Sequence, residues 1–166
     1  GDVNKSWQFE ITLDEPYTQS FGGISFNPTS DGKGSVGYFS IKAGESKVIS
    51  GLPDGIGYTI RETEANTNGY ETSYEQTVTQ THQKNADGTI TELGTPQATE
   101  LGKSGTGDRV SGMATLEYTD EITFTNTKNV LIDNGIALDS LPYIAILAGV
   151  IGGVVWMIIR RRRHDD

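Results

Sequence analysis

The 166-residue chain has no cysteine. That removes disulfides, thiolate metal sites and thiol nucleophiles together. Histidine is almost as scarce. His82 and His164 stand far apart, so neither a metal centre nor a Ser-His-Asp arrangement is implied, and no cofactor is expected. Basic residues are few until the very end: up to Ile159 there are nine Lys or Arg against twenty Asp or Glu, a balance near −11. A nucleic-acid partner needs basic patches that release counterions, and this balance argues against one. Strand–helix–strand alternation is missing too, which disfavours a nucleotide-binding α/β fold. Asp31-Gly32-Lys33-Gly34 has glycines and a lysine without phosphate-loop spacing.

What the chain does have is glycine, 21 of them, with abundant Thr, Ser and Tyr. That composition favours strands and turns over helices. Trp7–Leu13 (WQFEITL) alternates apolar and polar, which places Trp7, Phe9, Ile11 and Leu13 on one face of a half-buried strand. Asp14-Glu15-Pro16 closes it, because proline cannot donate to a ladder. Further strands are expected over 37–41, 46–50, 58–62, 69–78, 113–118 and 121–126. Leu52-Pro53-Asp54-Gly55 reads as a turn, since proline fixes φ and glycine accepts a positive one. Residues 79–111 form a long polar excursion with a hairpin expected around Asp87-Gly88. The run Asn85–Ile90 resembles the middle of a calcium loop, but Gln83 and Gly94 stand where acidic ligands belong, so a hairpin turn is the reading kept. Short strands with frequent turns make a β-sandwich the expected fold, with residues 1–128 forming one domain.

One long apolar run exists, Leu141–Ile159, and Arg160-Arg161-Arg162-Arg163 follows it. A charge-free stretch of this length suffices for a transmembrane helix, which needs roughly 17–25 residues. Excess positive charge marks the cytoplasmic side, so residues before the run are expected outside. The expected plan is an exterior domain over 1–128, a linker over 129–140, a helix over 141–159 and a basic tail over 160–166. Gly1 is not a starting Met and no export signal precedes it, so the chain reads as part of a longer surface protein.

Side-chain alternation raises one chemical question. Tyr58, Ile60 and Glu62 share a face, and so do Ile122, Phe124 and Asn126. Two apolar faces therefore each end in a polar residue, and an unpaired buried charge costs several kcal/mol. Either both residues sit hydrated at strand ends, or they take part in a covalent staple. In the second reading a neutral buried lysine attacks the Asn side-chain amide while a carboxyl polarises the carbonyl and shuttles protons.

The segments GLPDGIGYTIRETE (Gly51–Glu64) and EITFTNTKN (Glu121–Asn129), with a C-terminal span and basic tail, resemble the Cna-B-type pilin isopeptide-linkage domains of Gram-positive surface proteins. The resemblance implies an Ig-like (prealbumin-like) sandwich, cell-surface display and a structural or adhesive rather than enzymatic role. It implies Glu62 as the acid of a YxIxE segment and Asn126 as the acceptor of the isopeptide bond. The lysine of that pattern lies on an opening strand upstream of this chain. Lys5, in phase with Trp7, is the nearest weak substitute. The resemblance also implies a sorting signal, and Leu131-Ile132-Asp133-Asn134-Gly135 occupies its place. Leu131 and Gly135 match an LPxTG-like pentapeptide, whereas Ile132 and Asn134 depart from it. Implied partners are the membrane, a sortase with peptidoglycan, other pilin subunits, or a host or matrix ligand. A ligand-binding adhesin module using residues 79–111 is the alternative.

Overall fold

A computed structural model of the chain describes residues 5–42, 44–67, 69–132, 135–149 and 154–160. Its strands are β1 (Ser6–Leu13), β2 (Ser20–Phe21), β3 (Ile24–Ser25), β4 (Asn27–Pro28), β5 (Ser35–Lys42), β6 (Lys47–Val48), β7 (Ile56–Glu62), β8 (Tyr70–Lys84), β9 (Ile90–Ala98), β10 (Ser104–Thr106), β11 (Arg109–Ala114), β12 (Tyr118–Ile132), β13 (Gly135–Gly149) and β14 (Val154–Arg160). One sheet runs β11-β7-β1-β5-β4. The other is built on β8 and β12, with β9 and β10 on β8 and β13 beyond β12.

β1 is the centre of the first sheet because its sequence alternates without a break. Trp7, Phe9, Ile11 and Leu13 are all fully buried, as the period predicts. It pairs antiparallel with β5, Phe9 opposite Phe39, and with β7, Ile11 opposite Ile60. The two sheets meet through aromatic rings. Phe9 stacks on Phe39 at 5.4 Å and lies 5.5 Å from Phe124 of β12. Such pairs add to the area their rings bury. Gly37, facing inward on β5, has no room for a side chain: a Cβ there would lie 2.6 Å from the Ile24 side chain.

Turn chemistry places the remaining strands. Ile56 N donates to Pro53 O across Asp54-Gly55, with Gly55 at φ +83°, as the Pro-Asp-Gly sequence demands. Residues 79–111 do contain the expected hairpin. β8 and β9 pair antiparallel, and Asp87 caps the tip by accepting from the Thr89 backbone N–H and hydroxyl. A strand expected over 113–118 lies earlier, as β11, and Tyr118 begins β12 instead. The inward phase there belongs to Val110 and Ala114, which are buried against β7, while Met113 is exposed.

Where a linker (129–140) and a membrane helix (141–159) are expected, the described residues run as the end of β12, then β13 and β14. Among the described residues no helix is long and apolar enough to cross a membrane. The run is rich in Ile and Val, which suit strands as well as lipid. The edge of β12 offers unpaired backbone groups, and β13 takes them, from Thr119 opposite Gly149 to Ile132 opposite Gly135.

If Phe124 joins the two sheets as described, Phe124→Ala lowers unfolding stability by about 3–5 kcal/mol. Urea denaturation checks this, and a loss below about 1 kcal/mol contradicts the packing.

Candidate functional site

β7 and β12 belong to different sheets, yet each ends its buried face in a polar group that reaches across the sandwich. Glu62 is the last residue of β7, and Asn126 follows Ile122 and Phe124 in phase on β12. Both are fully buried. Asn126 Nδ2 donates to Glu62 Oε1 at 2.6 Å. The two residues singled out by strand phase are therefore brought together, rather than hydrated at separate strand ends.

A third member comes from β8. The Thr72 hydroxyl donates to Asn126 Oδ1 at 2.6 Å. Thr72 is itself held by the loop after β7: Asn66 N donates to Thr72 Oγ1, and Thr72 N donates to Asn66 Oδ1, each at 3.0 Å. Asn66 adopts φ +58°, a left-handed conformation that asparagine tolerates better than most residues. The Thr72 hydroxyl thus meets the Asn126 carbonyl oxygen, and the Glu62 carboxyl stands at the nitrogen. Strand phase held the clue, because Thr72 shares a face with Tyr70 and Tyr74.

The other oxygen of Glu62, Oε2, is buried with no hydrogen-bond partner among the described residues. Burial pushes the carboxyl up to about 7, against the hydrogen bond from Asn126, which pulls it down. Lys5 is close but otherwise engaged. Its Nζ donates to Glu64 Oε2 at 2.7 Å and lies 4.5 Å from the centre of the Trp7 ring. In the sorting-like segment, Leu131 and Ile132 close β12 opposite Ile136 and Gly135. Asp133 and Asn134 lie outside the described residues.

A second polar trio occupies the other end of the same three strands. The Tyr58 hydroxyl donates to Asp120 Oδ2 at 2.6 Å and accepts from Gln76 Nε2 at 2.9 Å. All three residues are buried. Burial raises the Asp120 carboxyl to about 6, and the Tyr58 hydrogen bond opposes it. Burial and the neighbouring Asp120 charge carry Tyr58 well above the usual tyrosine value. The sequence signal was present: Asp120 is in phase with Ile122, and Gln76 with Thr72.

A sandwich with a buried Glu–Asn–Thr contact at one end is the setting in which comparison with known proteins becomes informative. The chain belongs to the family described as a domain of unknown function, DUF7601, whose profile matches residues 1–128. Over 172 aligned positions it is 27% identical to a protein named pilin from Streptococcus pyogenes serotype M1, covering 97% of this chain and 45% of that protein. The chain thus spans less than half the length of that relative. No solved structure matches it.

The raised carboxyls set a pH dependence with a definite sign. An acid whose folded value lies above its unfolded one binds its proton more tightly when folded, so it stabilises fully below the unfolded value and loses that contribution as pH rises through the folded one. For Glu62 the window runs from 4.5 to about 7, and for Asp120 from 3.8 to about 6. Stability should fall as pH rises across this range, by roughly 3 kcal/mol from Glu62 alone. Glu62→Gln, which keeps an acceptor for Asn126, should flatten the upper part of the slope in urea titrations run from pH 4 to 8. An unchanged slope rejects the assignment.

Proposed function

We propose that this chain is the outward-facing structural module of a pilin-like protein on a Gram-positive-type bacterial surface, a stalk stiffened by an isopeptide bond to Asn126. The observation that carries the reading is the Glu62–Asn126 contact, a 2.6 Å hydrogen bond between fully buried groups. The similarity to a streptococcal pilin supports it from a separate direction. The absence of cysteine gives such a bond its use, since disulfide cross-links are unavailable to this chain.

The chemistry follows from the placement of each group. A lysine from a strand N-terminal to β1 enters beside Asn126, and desolvation favours its neutral amine. Its nitrogen attacks Asn126 Cγ and forms the new C–N bond. Glu62 takes a proton from that nitrogen and returns it to Nδ2, beside which Oε1 already sits. The Cγ–Nδ2 bond breaks and ammonia leaves. The Thr72 hydroxyl, aimed at Oδ1, stabilises the charge that builds on that oxygen during attack. Each domain turns over once, so the step is maturation and the module is not an enzyme. The fold in this reading is Ig-like.

Anchoring belongs to residues 141–159. A backbone taken into lipid has to pair within its own segment, and a helix does this where a two-stranded hairpin leaves edges open. In water the same run pairs with β12; in a bilayer it forms the helix, with Arg160–Arg163 inside the cell. A sortase acting at residues 131–135 would transfer the domain to peptidoglycan.

A second reading, a ligand-binding adhesin module, is favoured by one observation. The end of the 79–111 excursion walls a cavity in the sandwich.

Two measurements decide the first reading. The intact mass of the parent ectodomain should fall short of its sequence mass by one ammonia, in Lys5→Ala as in the unmodified protein, and Glu62→Ala should restore the full mass. A full mass without mutation rules the bond out. Protease added to whole cells should remove the acidic domain, and its survival would place it on the wrong side of the membrane.

A further inference from the structure

The cavity at the Asp120 end of the sandwich has about 290 Å³ of space, near the lower limit for small-ligand clefts. It lies between β8, the 99–103 loop, β11 and the start of β12. Leu101 and Met113 form exposed lips, 60% and 56% accessible, where apolar surface is uncovered. Its walls are mostly apolar, with a small polar set at the base. Asp120, 2% exposed, accepts the Tyr58 hydroxyl on Oδ2. The Thr115 hydroxyl in the same wall is buried with no hydrogen-bond partner among the described residues.

Among the described residues no cation forms an ion pair with this carboxyl group. Lys103, the cation of the cavity wall, donates instead to Ser111 O at 3.3 Å. Gln76 spends its amide N–H groups on Tyr58 and Ser111. A buried carboxylate with one neutral donor is poorly compensated, and a cationic donor supplies what is missing. The apolar lips fit the methylene stem behind such a head. The acidic surroundings of the chain, net −9, draw cations toward it.

We propose that this cavity is a binding site for a primary alkylammonium group, such as a lysine side chain presented by a peptide, with Asp120 holding the ammonium and Leu101 and Met113 covering the stem. It rests on the second reading above, to which it adds the chemical class of ligand, and it does not depend on the cross-link. Tyr58 from β7, Gln76 from β8, Lys103 from the 99–103 loop and Tyr118 from β12 are the titratable or amide groups around Asp120, with the Ser111 and Thr115 hydroxyls in the same wall. Lys103, held on Ser111 O, places a like charge in the same cavity wall and so opposes the incoming ammonium.

The test titrates the peptide Gly-Lys-Gly into the full chain in non-ionic detergent, followed by amide NMR shifts. Gly-norleucine-Gly supplies the same stem without the charge, and 1,4-diaminobutane supplies the head as a free amine. Saturable shifts at Gln76, Gly112 and Asp120 are expected with the lysine peptide. Asp120→Asn should weaken binding about tenfold or more, as losing a charged hydrogen bond does. Lys103→Ala, at an exposed residue whose loss leaves the core intact, should tighten it. Binding should strengthen from pH 5 to pH 7 as Asp120, raised to about 6, ionises. Stronger binding of the diamine than of the peptide would assign the site to free amines and retain the ammonium chemistry. Equal binding of the norleucine peptide would overturn the ammonium assignment and leave a ligand-binding module of another specificity. No saturable shift with any probe would overturn both.

Discussion

A carboxyl group that folding takes out of water needs a proton, a partner or both. Among the described residues this sandwich buries two, Glu62 and Asp120, at opposite ends of one layer of contacts between its sheets. Each is met by a side chain from the facing sheet: Asn126 for Glu62, and Tyr58 for Asp120. β8 supplies a third member to both, Thr72 to one and Gln76 to the other. Ile60, Ile122 and Phe124 fill the space between and keep water out. The polar ends fix how β7 lies against β12, because a shift of one residue in either strand would turn both trios to the solvent face. Apolar side chains alone would tolerate several alignments.

The same arrangement explains how much was legible in the sequence. Period-two alternation identified Trp7, Phe9, Ile11 and Leu13 as core, and it aligned Glu62 and Asn126 with apolar neighbours. Asp120 falls outside the expected strand over 121–126 because β12 begins three residues earlier, at Tyr118, and Thr72 goes unmarked because threonine is as much at home on a solvated face as in a core. Long-range partners leave no local trace, so the Thr72–Asn126 and Tyr58–Asp120 bonds, 54 and 62 residues apart, needed the fold. Met113 shows that apolar character alone does not mark an inward position. It is apolar, yet it lies at a cavity mouth while Val110 and Ala114 face inward.

Residues 141–159 expose a limit of a different kind. A charge-free run dense in isoleucine and valine suits a strand, which pairs its backbone with neighbouring strands, and also suits a lipid-embedded helix, which pairs its backbone within itself. The sequence does not contain the solvent that chooses between them. Among the described residues the run pairs as strands along the β12 edge.

The β8–β9 arm has a property that bears on life outside a cell. Between Lys84 and Lys103 the chain carries no basic residue, and between Tyr74 and Tyr118 no aromatic one. Trypsin-like and chymotrypsin-like enzymes recognise those side chains, so this long projection offers them little to grip. A solvent-exposed hairpin of threonine, glycine and glutamate is in that respect armoured by its composition rather than by burial.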